Sequence, residues 1–475
     1  MPDLPSDARR PDGLDDISTA IADRADTTRS RLEELVRIPS ISADGHDPAP
    51  VRDAAERTAA LLEEVGLDEV RLLEIDGAHP YVYGEWLGAG DDAPTVLLYA
   101  HHDVQPIGTP EGWSSDPFEP VERDGRLYGR GAADDKAGVM VHVAAVEAWL
   151  AERGQLPLNV KVIIEGEEEI GSPHLSQFLD EYVDLLRADV IVLTDLPNWK
   201  VGWPALTYAL RGMGELFVTV RTLEQPVHSG MWGGPIPDAF TATVKLLATL
   251  HDDHGRIAVA GFDEDVREPS DTEHERIDGL DADLDQLRDE ARVLDGVDWV
   301  GGDEHSVLER IWMRPTITPT GIDAPTVKNA SNTLLSEVRV KLSCRFAPGQ
   351  DPDRALKVLA EHLEDNAPWG ATVETRVGER NAAWVTDPDG PAFDAAFAAM
   401  GAAYGREPAT IGCGGSIPFV QPFSDAFGGA PCLLTGIEDP HTNAHGDDES
   451  LHLEDFVKAC LAEAYLFEEL ATRLG

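Results

Sequence analysis

Histidine and carboxylate residues follow an apolar segment near residue 100, and their types suit metal-dependent chemistry. Residues 95–100 are almost entirely apolar and lead directly into His101, His102 and Asp103. Such a run predicts a strand buried on both faces of an α/β sheet, and ligands of these sheets lie beyond the carboxyl ends of the strands. His101 and Asp103 would point to the same side of an extended chain. One interpretation is a metal-binding His101 oriented by Asp103; the other is a polar loop after a strand.

Three further apolar runs, at residues 158–164, 189–193 and 431–435, lead into segments that carry carboxylates or histidine. The side chains in question are Glu168, Glu169, Asp195 and His445. Asp134 stands just before a predicted helix at 136–153, where a carboxylate is often only a cap. A shared metal centre explains all of these placements together. Histidine and carboxylate ligands without cysteine favour Zn²⁺ or Mn²⁺, and several carboxylates suit a two-metal site with a bridging ligand.

The elements that must position these side chains predict an α/β fold interrupted by an insertion. We expect a sheet-centred domain with helices on both faces, including helices at 15–36, 52–65 and 136–153. Short strands are predicted at 71–75 and 81–86.

The middle of the chain has a hydrophobic pattern that differs from the continuous apolar runs of the sheet domain. Residues 216–220 and 337–346 alternate like half-exposed antiparallel strands, 239–251 is a helical run, and 262–294 is acidic and helix-prone. We therefore predict an inserted α+β domain. The predicted bounds are 1–205 for the first part of the sheet domain, 206–382 for the insertion and 383–475 for the second part, with residues 1–16 as a flexible tail.

Charge and cysteine content argue against some classes of binding partner and indicate where the protein is located. The 475 residues include 88 acidic and 38 basic side chains, a net charge of -50 at pH 7. This argues against nucleic acid and anionic membranes as partners, since both require a basic surface. No apolar run is long enough for a membrane span, and residues 1–16 are polar. The four scattered cysteines suggest reduced thiols, so a cytoplasmic location is expected.

The motifs taken together resemble the M20 family of dinuclear metallopeptidases. The resemblance rests on the segments His101–Val104, Gly129–Lys136, Glu165–Ser172 and Ala444-His445. Three further segments, Val104-Gln105-Pro106, Gly112-Trp113 and Gly414–Pro418, are most similar to its carnosinase and non-specific dipeptidase branch. The likeness extends from about residue 30 to the end of the sequence. It is the ordered set, rather than any single motif, that is specific.

The resemblance implies a role for each residue of the predicted metal centre. His101 and Asp195 would hold one metal, Glu169 and His445 the other, and Asp134 would bridge them. Asp103 would orient His101, and Glu168 would be the general base. The family also implies a cis peptide bond after the bridging aspartate.

The choice between His441 and His445 as the last ligand depends on local context. Their spacing could suggest a helical metal pair, but Pro440 before them and Gly446 after them favour a loop. The segment from Ala444 to Glu449 matches the family pattern, so His445 is preferred.

The inserted domain resembles the family's lid and dimerisation domain. Its Val227–Gly230 segment matches a lid motif whose histidine, here His228, reaches a neighbouring active site. Arg345 matches a residue that binds the substrate carboxylate, and Ser416 matches a substrate-contacting loop. Asn332 is either another substrate contact or an ordinary loop residue. The resemblance implies a homodimer, and the alternating strand at 216–220 suggests a sheet edge that a partner subunit would cover.

The expected function is therefore metal-dependent hydrolysis of dipeptides, with two divalent ions per subunit. Zinc is the preferred metal and manganese the second choice. The expected partner is a small peptide substrate. One alternative is an amidohydrolase that removes the acyl group of N-acyl amino acids on the same scaffold. Another is a non-catalytic metal-binding protein, which the presence of Glu168 beside Glu169 disfavours.

Overall fold

The computed structural model describes residues 11–280 and 282–475. Most of the predicted flexible tail at 1–16 lies outside the described residues, and its last two residues, Asp15 and Asp16, begin a helix. The described chain divides into two compact units. The first contains residues 11–208, 387–411 and 417–475, and the second contains Ala209–Thr386 and Gly412–Ser416.

Helices and strands are numbered in chain order. The α-helices are α1 (Asp15–Val36), α2 (Ala49–Glu64), α3 (Lys136–Arg153), α4 (Leu175–Leu186), α5 (Ser229–Trp232), α6 (Ala239–Leu247), α7 (Asp271–Gly279), α8 (Leu284–Glu290), α9 (Val307–Met313), α10 (Pro352–Asp365), α11 (Pro391–Tyr404), α12 (Val420–Ala426) and α13 (Leu453–Leu474). The strands are β1 (Asp68–Leu73), β2 (Tyr81–Trp86), β3 (Thr95–His101), β4 (Val121–Arg123), β5 (Arg126–Tyr128), β6 (Asn159–Glu165), β7 (Val190–Pro197), β8 (Ala205–Leu210), β9 (Gly212–Arg221), β10 (Val227–His228), β11 (Thr316–Asp323), β12 (Thr333–Leu334), β13 (Glu337–Phe346), β14 (Thr372–Asn381), β15 (Trp384–Val385), β16 (Ala409–Cys413), β17 (Cys432–Glu438) and β18 (Ser450–His452).

The first unit is built on a mixed sheet with the strand order β1-β2-β6-β3-β7-β17-β8. The four central strands β6, β3, β7 and β17 are parallel to one another, whereas β2 and β8 run antiparallel to their neighbours. His101 at the end of β3 pairs in register with Glu165 at the end of β6. The carboxyl ends of the parallel strands therefore meet at one edge of the sheet, as predicted for the chemistry-bearing residues.

Helices cover both faces of this sheet. On one face, Val96, Leu98 and Ala100 of β3 join a core formed with α1, α2, α3, α11 and α13. On the other face, Tyr99 packs on Phe419, with ring centroids 3.8 Å apart, beside α12. The alternate side chains of a strand point to opposite faces, so both sets are buried and the strand reads as a continuous apolar run. The predicted α/β architecture is confirmed.

The second unit contains an antiparallel sheet with the order β11-β13-β9-β14. Leu216, Val218 and Val220 of β9 face a core that includes side chains of α6 and α10, while the alternate positions are more exposed. This two-residue period is what the sequence predicts for strands with one solvated face. The inserted α+β architecture is confirmed.

Two details of the second unit differ from the prediction. The strand at 216–220 is not a sheet edge, because β9 lies between β13 and β14. The acidic segment at 262–294 is not one helical face, since α7 and α8 are short and Phe262 is fully buried.

Among the described residues, none of the helices combines the length and apolarity that a membrane span requires.

Candidate metal centre

His101 is the last residue of β3 and is completely buried. Its Nδ1 atom lies 3.1 Å from the main-chain oxygen of Asp103 and 3.4 Å from that residue's Oδ1 atom. If Nδ1–H donates to this oxygen, the lone pair on Nε2 faces the carboxylates of Asp134 and Asp195, at 3.1 and 3.7 Å. The tautomer is thus set chiefly by the main chain of Asp103. The Asp103 carboxylate instead accepts hydrogen bonds from Ser42 and from the main-chain N–H of Glu169.

Asp134 lies between two histidines. Its Oδ1 atom is 3.1 Å from His101 Nε2, and its Oδ2 atom is 3.1 Å from His445 Nε2. Although burial opposes ionisation, these two contacts lower the pKa of the Asp134 carboxyl. The peptide bond between Asp134 and Asp135 is cis, as the family resemblance implies. One carboxylate with a separate histidine at each oxygen is the arrangement expected of a bridging ligand.

Glu168 and Glu169 belong to a single 3₁₀ turn, Glu168–Ile170, that follows β6. Glu169 Oε2 lies 3.2 Å from His445 Nε2 and accepts a hydrogen bond from the side chain of Gln105, while Oε1 accepts one from the Gln105 main-chain N–H. Burial raises the pKa of Glu168, and the negative charges of Asp195 and Glu169 raise it further. Burial also raises the pKa of Glu169, to about 7. The two glutamates thus lie side by side in a crowded group of carboxylates.

Asp195 and His445 complete the group. The sequence predicted Asp195 just after a strand, but the structure places it within β7. The reason is that pairing with β17 extends β7 to Pro197. His445 lies in a turn with a positive φ of 60°, and contacts with Asp134 and Glu169 raise its pKa to about 11. His445 Nε2 lies 3.1 Å from Asp134 Oδ2 and 3.2 Å from Glu169 Oε2, so it is His445, the preferred of the two histidines, that reaches these carboxylates.

The donor atoms fit a divalent metal. Within the described residues, His101 Nε2 is buried without a hydrogen-bond partner although carboxylate oxygens surround it. Two acceptors cannot face each other at this distance unless a proton or a cation lies between them. Two sets of ligand atoms are close enough to share an ion, namely His101, Asp134 and Glu169, and His101, Asp135 and Asp195. Imidazole nitrogen and carboxylate oxygen are ligands that Zn²⁺ and Mn²⁺ accept.

The remaining predicted site residues belong to the second unit. His228 pairs with Thr333 across β10 and β12, and the main-chain N–H of Ser229 donates to the oxygen of Asn332. Both His228 and Asn332 are exposed. Arg345 on β13 donates from Nη1 to Ser416 Oγ at 3.2 Å. The predicted substrate-binding residues thus form two pairs, and each pair is held together within this unit.

Sequence comparison identifies the family of the chain. Residues 97–469 match the peptidase family M20/M25/M40. The chain belongs to this family. A cysteinylglycine-S-conjugate dipeptidase from Corynebacterium striatum is 38% identical over 89% of this M20 chain and 90% of its own length. The Beta-Ala-His dipeptidase of Homo sapiens is 29% identical over 92% of this chain and 85% of its own length.

Solved structures show the same architecture. Human carnosine dipeptidase 1 superposes with a TM-score of 0.85 at 28% identity, covering 97% of this M20 chain and 99% of that one. The dipeptidase Dug1p from Saccharomyces cerevisiae superposes with a TM-score of 0.87, at 24% identity and the same coverage, which supports the fold. The protein is a hydrolase of the M20 family.

Two groups of the M20 centre have roles that sequence reasoning missed. Glu449 is buried and accepts main-chain N–H bonds from Gly131, Ala133 and Asp134, at 3.0 to 3.1 Å, so it holds the turn that presents the Asp134 carboxylate. Gln105 binds Glu169 through both its main chain and its side chain. Both residues lie in motifs that carry the family resemblance, which was the available signal, but no spacing rule connects Glu449 with residue 134.

Proposed function

We propose that this protein is a metal-dependent dipeptidase with two divalent ions per subunit, zinc preferred and manganese second. The observation that carries the proposal is the position of Asp134, whose two carboxylate oxygens each lie 3.1 Å from a different histidine. His101 and Asp195 would hold one ion, Glu169 and His445 the other, and Asp134 both. When bound, such a pair polarises the scissile carbonyl and acidifies a water molecule. Relatives named as dipeptidases, at up to 38% identity, support the substrate class.

The chain's own residues would move the proton. Glu168 is the proposed general base, which takes a proton from the attacking water and later delivers it to the nitrogen of the leaving amine. Its neighbour Glu169 is engaged by Gln105 and His445, which leaves the two glutamates with separate tasks. Asp103 connects the two halves of the centre, because its main chain contacts His101 and its carboxylate binds the N–H of Glu169.

The second unit would supply the recognition of the substrate. Arg345 presents a planar guanidinium that can bind a carboxylate through two parallel hydrogen bonds, and Ser416 is already its neighbour. We propose that these residues bind the free carboxylate of the dipeptide, and that His228 stabilises the oxyanion with Asn332 as an additional contact. We also propose that the inserted domain, at about 206–382, acts as a lid and as the dimerisation domain of a homodimer.

A cytoplasmic location is part of the proposal. All four cysteines are thiols rather than halves of disulfides, and three of them are buried. Thiols persist in the reducing cytoplasm, whereas secreted proteins tend to oxidise them to disulfides.

The test is a substrate panel. Metal-free protein is reconstituted with Zn²⁺ or Mn²⁺ and assayed on dipeptides, tripeptides, C-terminally amidated dipeptides and N-acyl amino acids. We expect the highest kcat/KM on unmodified dipeptides, because their free carboxylate can be bound by the Arg345 guanidinium. Preferential hydrolysis of N-acyl amino acids would replace the dipeptidase with the amidohydrolase on the same scaffold. No turnover of any substrate, with metal bound, would contradict both.

A further inference from the structure

Two half-buried arginines of the second unit, Arg211 and Arg345, have no acidic partner among the described residues. Arg211 donates from Nε to the oxygen of Gly414 at 3.1 Å and from Nη1 to the oxygen of Arg314 at 3.2 Å. Arg345 donates to Ser416 Oγ. All of these acceptors are neutral. Buried charges are usually paired, so two uncompensated guanidinium groups mark a site that is suited to an anion.

The two guanidinium groups are close because of the strand register. Arg211 lies between β8 and β9, and Arg345 on β13 pairs with Met213, two residues further along β9. Burial lowers the pKa of Arg211, and the positive charge of Arg345 lowers it further, to about 10. Arg211 therefore remains charged at neutral pH, as guanidinium groups do in proteins, and a carboxylate would relieve its repulsion with Arg345.

Arg211 also determines the path of the loop that carries Ser416. A Cβ atom on Gly414 would lie 2.9 Å from Arg211 Nη2 and 3.0 Å from Ile311 Cγ2, so the loop passes directly against the guanidinium. A Cβ atom on Gly412 would lie 2.7 Å from Trp312 Cβ. One guanidinium thus joins two segments, the end of α9 through Arg314 and the loop through Gly414.

We infer that Arg211 is a positioning residue for the carboxylate subsite, holding the loop at 412–416 so that Ser416 stays on Arg345. Ser416 accepts a hydrogen bond from Arg345, which leaves its own O–H free to donate to a carboxylate oxygen of the substrate. Arg211 itself acts through these two residues. The inference rests on the proposed dipeptidase function, since it assigns a further residue to the same subsite.

The test compares Arg211→Met and Arg211→Lys with the wild type on the best dipeptide of the panel and on its C-terminal amide. For Arg211→Met we expect KM for the dipeptide to rise about tenfold or more, because Ser416 and the loop that carries it then lose their fixed position. The kcat value and the KM for the amide should change by less than about threefold. Arg211→Lys should resemble Arg211→Met, because one ammonium cannot reach carbonyls on two segments. Equal losses on both substrates, or full rescue by lysine, would overturn the inference.

A double-mutant cycle tests whether Arg211 acts through Arg345, and a matched control tests whether the effect is specific to Arg211. In an Arg345→Met background, Arg211→Met should have little further effect on KM, because its action passes through Arg345; additive losses would contradict this. Arg354→Met is the control, since Arg354 also holds a main-chain oxygen, that of Gly261, in the same unit. It should leave the ratio of the two KM values unchanged.

A second variant keeps the test decisive if Arg211→Met fails to fold. Gly414→Ala retains both charges but displaces the Arg211 guanidinium, and it should reproduce the selective rise in KM. An unchanged KM for this variant would overturn the inference. Failure of the dipeptidase proposal itself looks different, because the wild type would then hydrolyse neither the dipeptide nor its amide.

Discussion

Glu168 and Glu169 are adjacent in sequence, and their separate roles are testable by amide substitution. Glu168→Gln should retain the metal content of the wild type and lower kcat by about 10²–10⁴, because the amide cannot take the proton of the attacking water. Glu169→Gln is the matched variant and should instead lose metal, since Glu169 lies 3.2 Å from His445. Metal analysis and kcat measurement on both proteins check this. Metal loss in Glu168→Gln with normal turnover of the loaded fraction would mean that the two roles are exchanged.

The sequence indicated which histidines and carboxylates are candidate metal ligands. It did not indicate which other residues hold those ligands in place. Histidine and carboxylates beyond buried apolar runs are expected at one sheet edge, and in the structure His101 lies close to Asp195 in one group of possible ligands and to Glu169 in another. The role of Glu449 was missed because its hydrogen-bond partners lie more than 300 residues away in the sequence. These partners are main-chain N–H groups, which every residue except proline has, so the residue types do not reveal them. Glu168 remains a prediction, because its role depends on proton transfer rather than on position alone.

At the scale of elements, the start of α3 is pressed against β7. A Cβ atom on Gly138 would lie 2.2 Å from Asp135 Oδ1 and 2.3 Å from the main-chain oxygen of Thr194. Gly138→Ala should therefore destabilise the protein by about 1–3 kcal/mol through overpacking, even though alanine favours helices. The midpoint of urea unfolding, measured with and without metal, checks this.

The matched control for that variant is Gly279→Ala at the end of α7. No atom of the described residues lies within 4 Å of a Cβ placed there, so the substitution should be neutral or stabilise by up to about 1 kcal/mol. Similar unfolding midpoints for both variants would show that the contact between α3 and β7 tolerates a methyl group.

A buried ion pair joins α3 to α13 next to β3. His142 Nδ1 lies 2.8 Å from Glu463 Oε1, and its Nε2 atom lies 3.0 Å from the main-chain oxygen of Tyr99 on β3. Burial disfavours the imidazolium, but the Glu463 carboxylate outweighs this and raises the pKa of His142 above 6.5. The stabilisation from this pair is therefore complete below about pH 6.5 and is lost as the pH rises through the raised pKa.

Glu463→Gln should expose that pH dependence. The difference in unfolding free energy between the wild type and this variant should be largest near pH 6 and should shrink towards pH 9. Urea unfolding in the same buffers isolates the pair, because contributions from the metal centre are common to both proteins and cancel in the difference. A difference that stays constant across this pH range would mean that His142 does not change its charge.

Several elements could be predicted with their bounds, and the exceptions have a physical cause. The helices at Asp15–Val36 and Lys136–Arg153 and the strands at Tyr81–Trp86 and Glu337–Phe346 have the bounds that periodicity predicts. The strand at Val190–Pro197 continues through polar Thr194 and Asp195, because its neighbour β17 supplies hydrogen bonds that sequence cannot reveal.

At the scale of the whole molecule, the proposed homodimer predicts that subunits share residues. If His228 acts in the partner's site, subunits carrying His228→Ala and Glu168→Gln should complement each other, because one site of the heterodimer then has both residues intact. Co-expression with two affinity tags allows the heterodimer to be purified, and its activity should be about half that of the wild type. Each variant homodimer, prepared with the same tags, is the control and should be nearly inactive. A purified heterodimer without activity would place His228 in its own subunit's site, whereas an active His228→Ala homodimer would place it outside catalysis.

The position of β17 in the sheet has a consequence for synthesis of the protein. This strand lies between β7 and β8, yet residues 432–438 leave the ribosome more than 200 residues after β8 does. Until then the nascent chain carries β7 with one hydrogen-bonding edge unpaired, and such edges invite association with other chains. His445 emerges later still. A ribosome that stalls before residue 432 therefore releases a product that lacks both the closing strand and a proposed metal ligand, and chaperones should engage that product more than the finished protein.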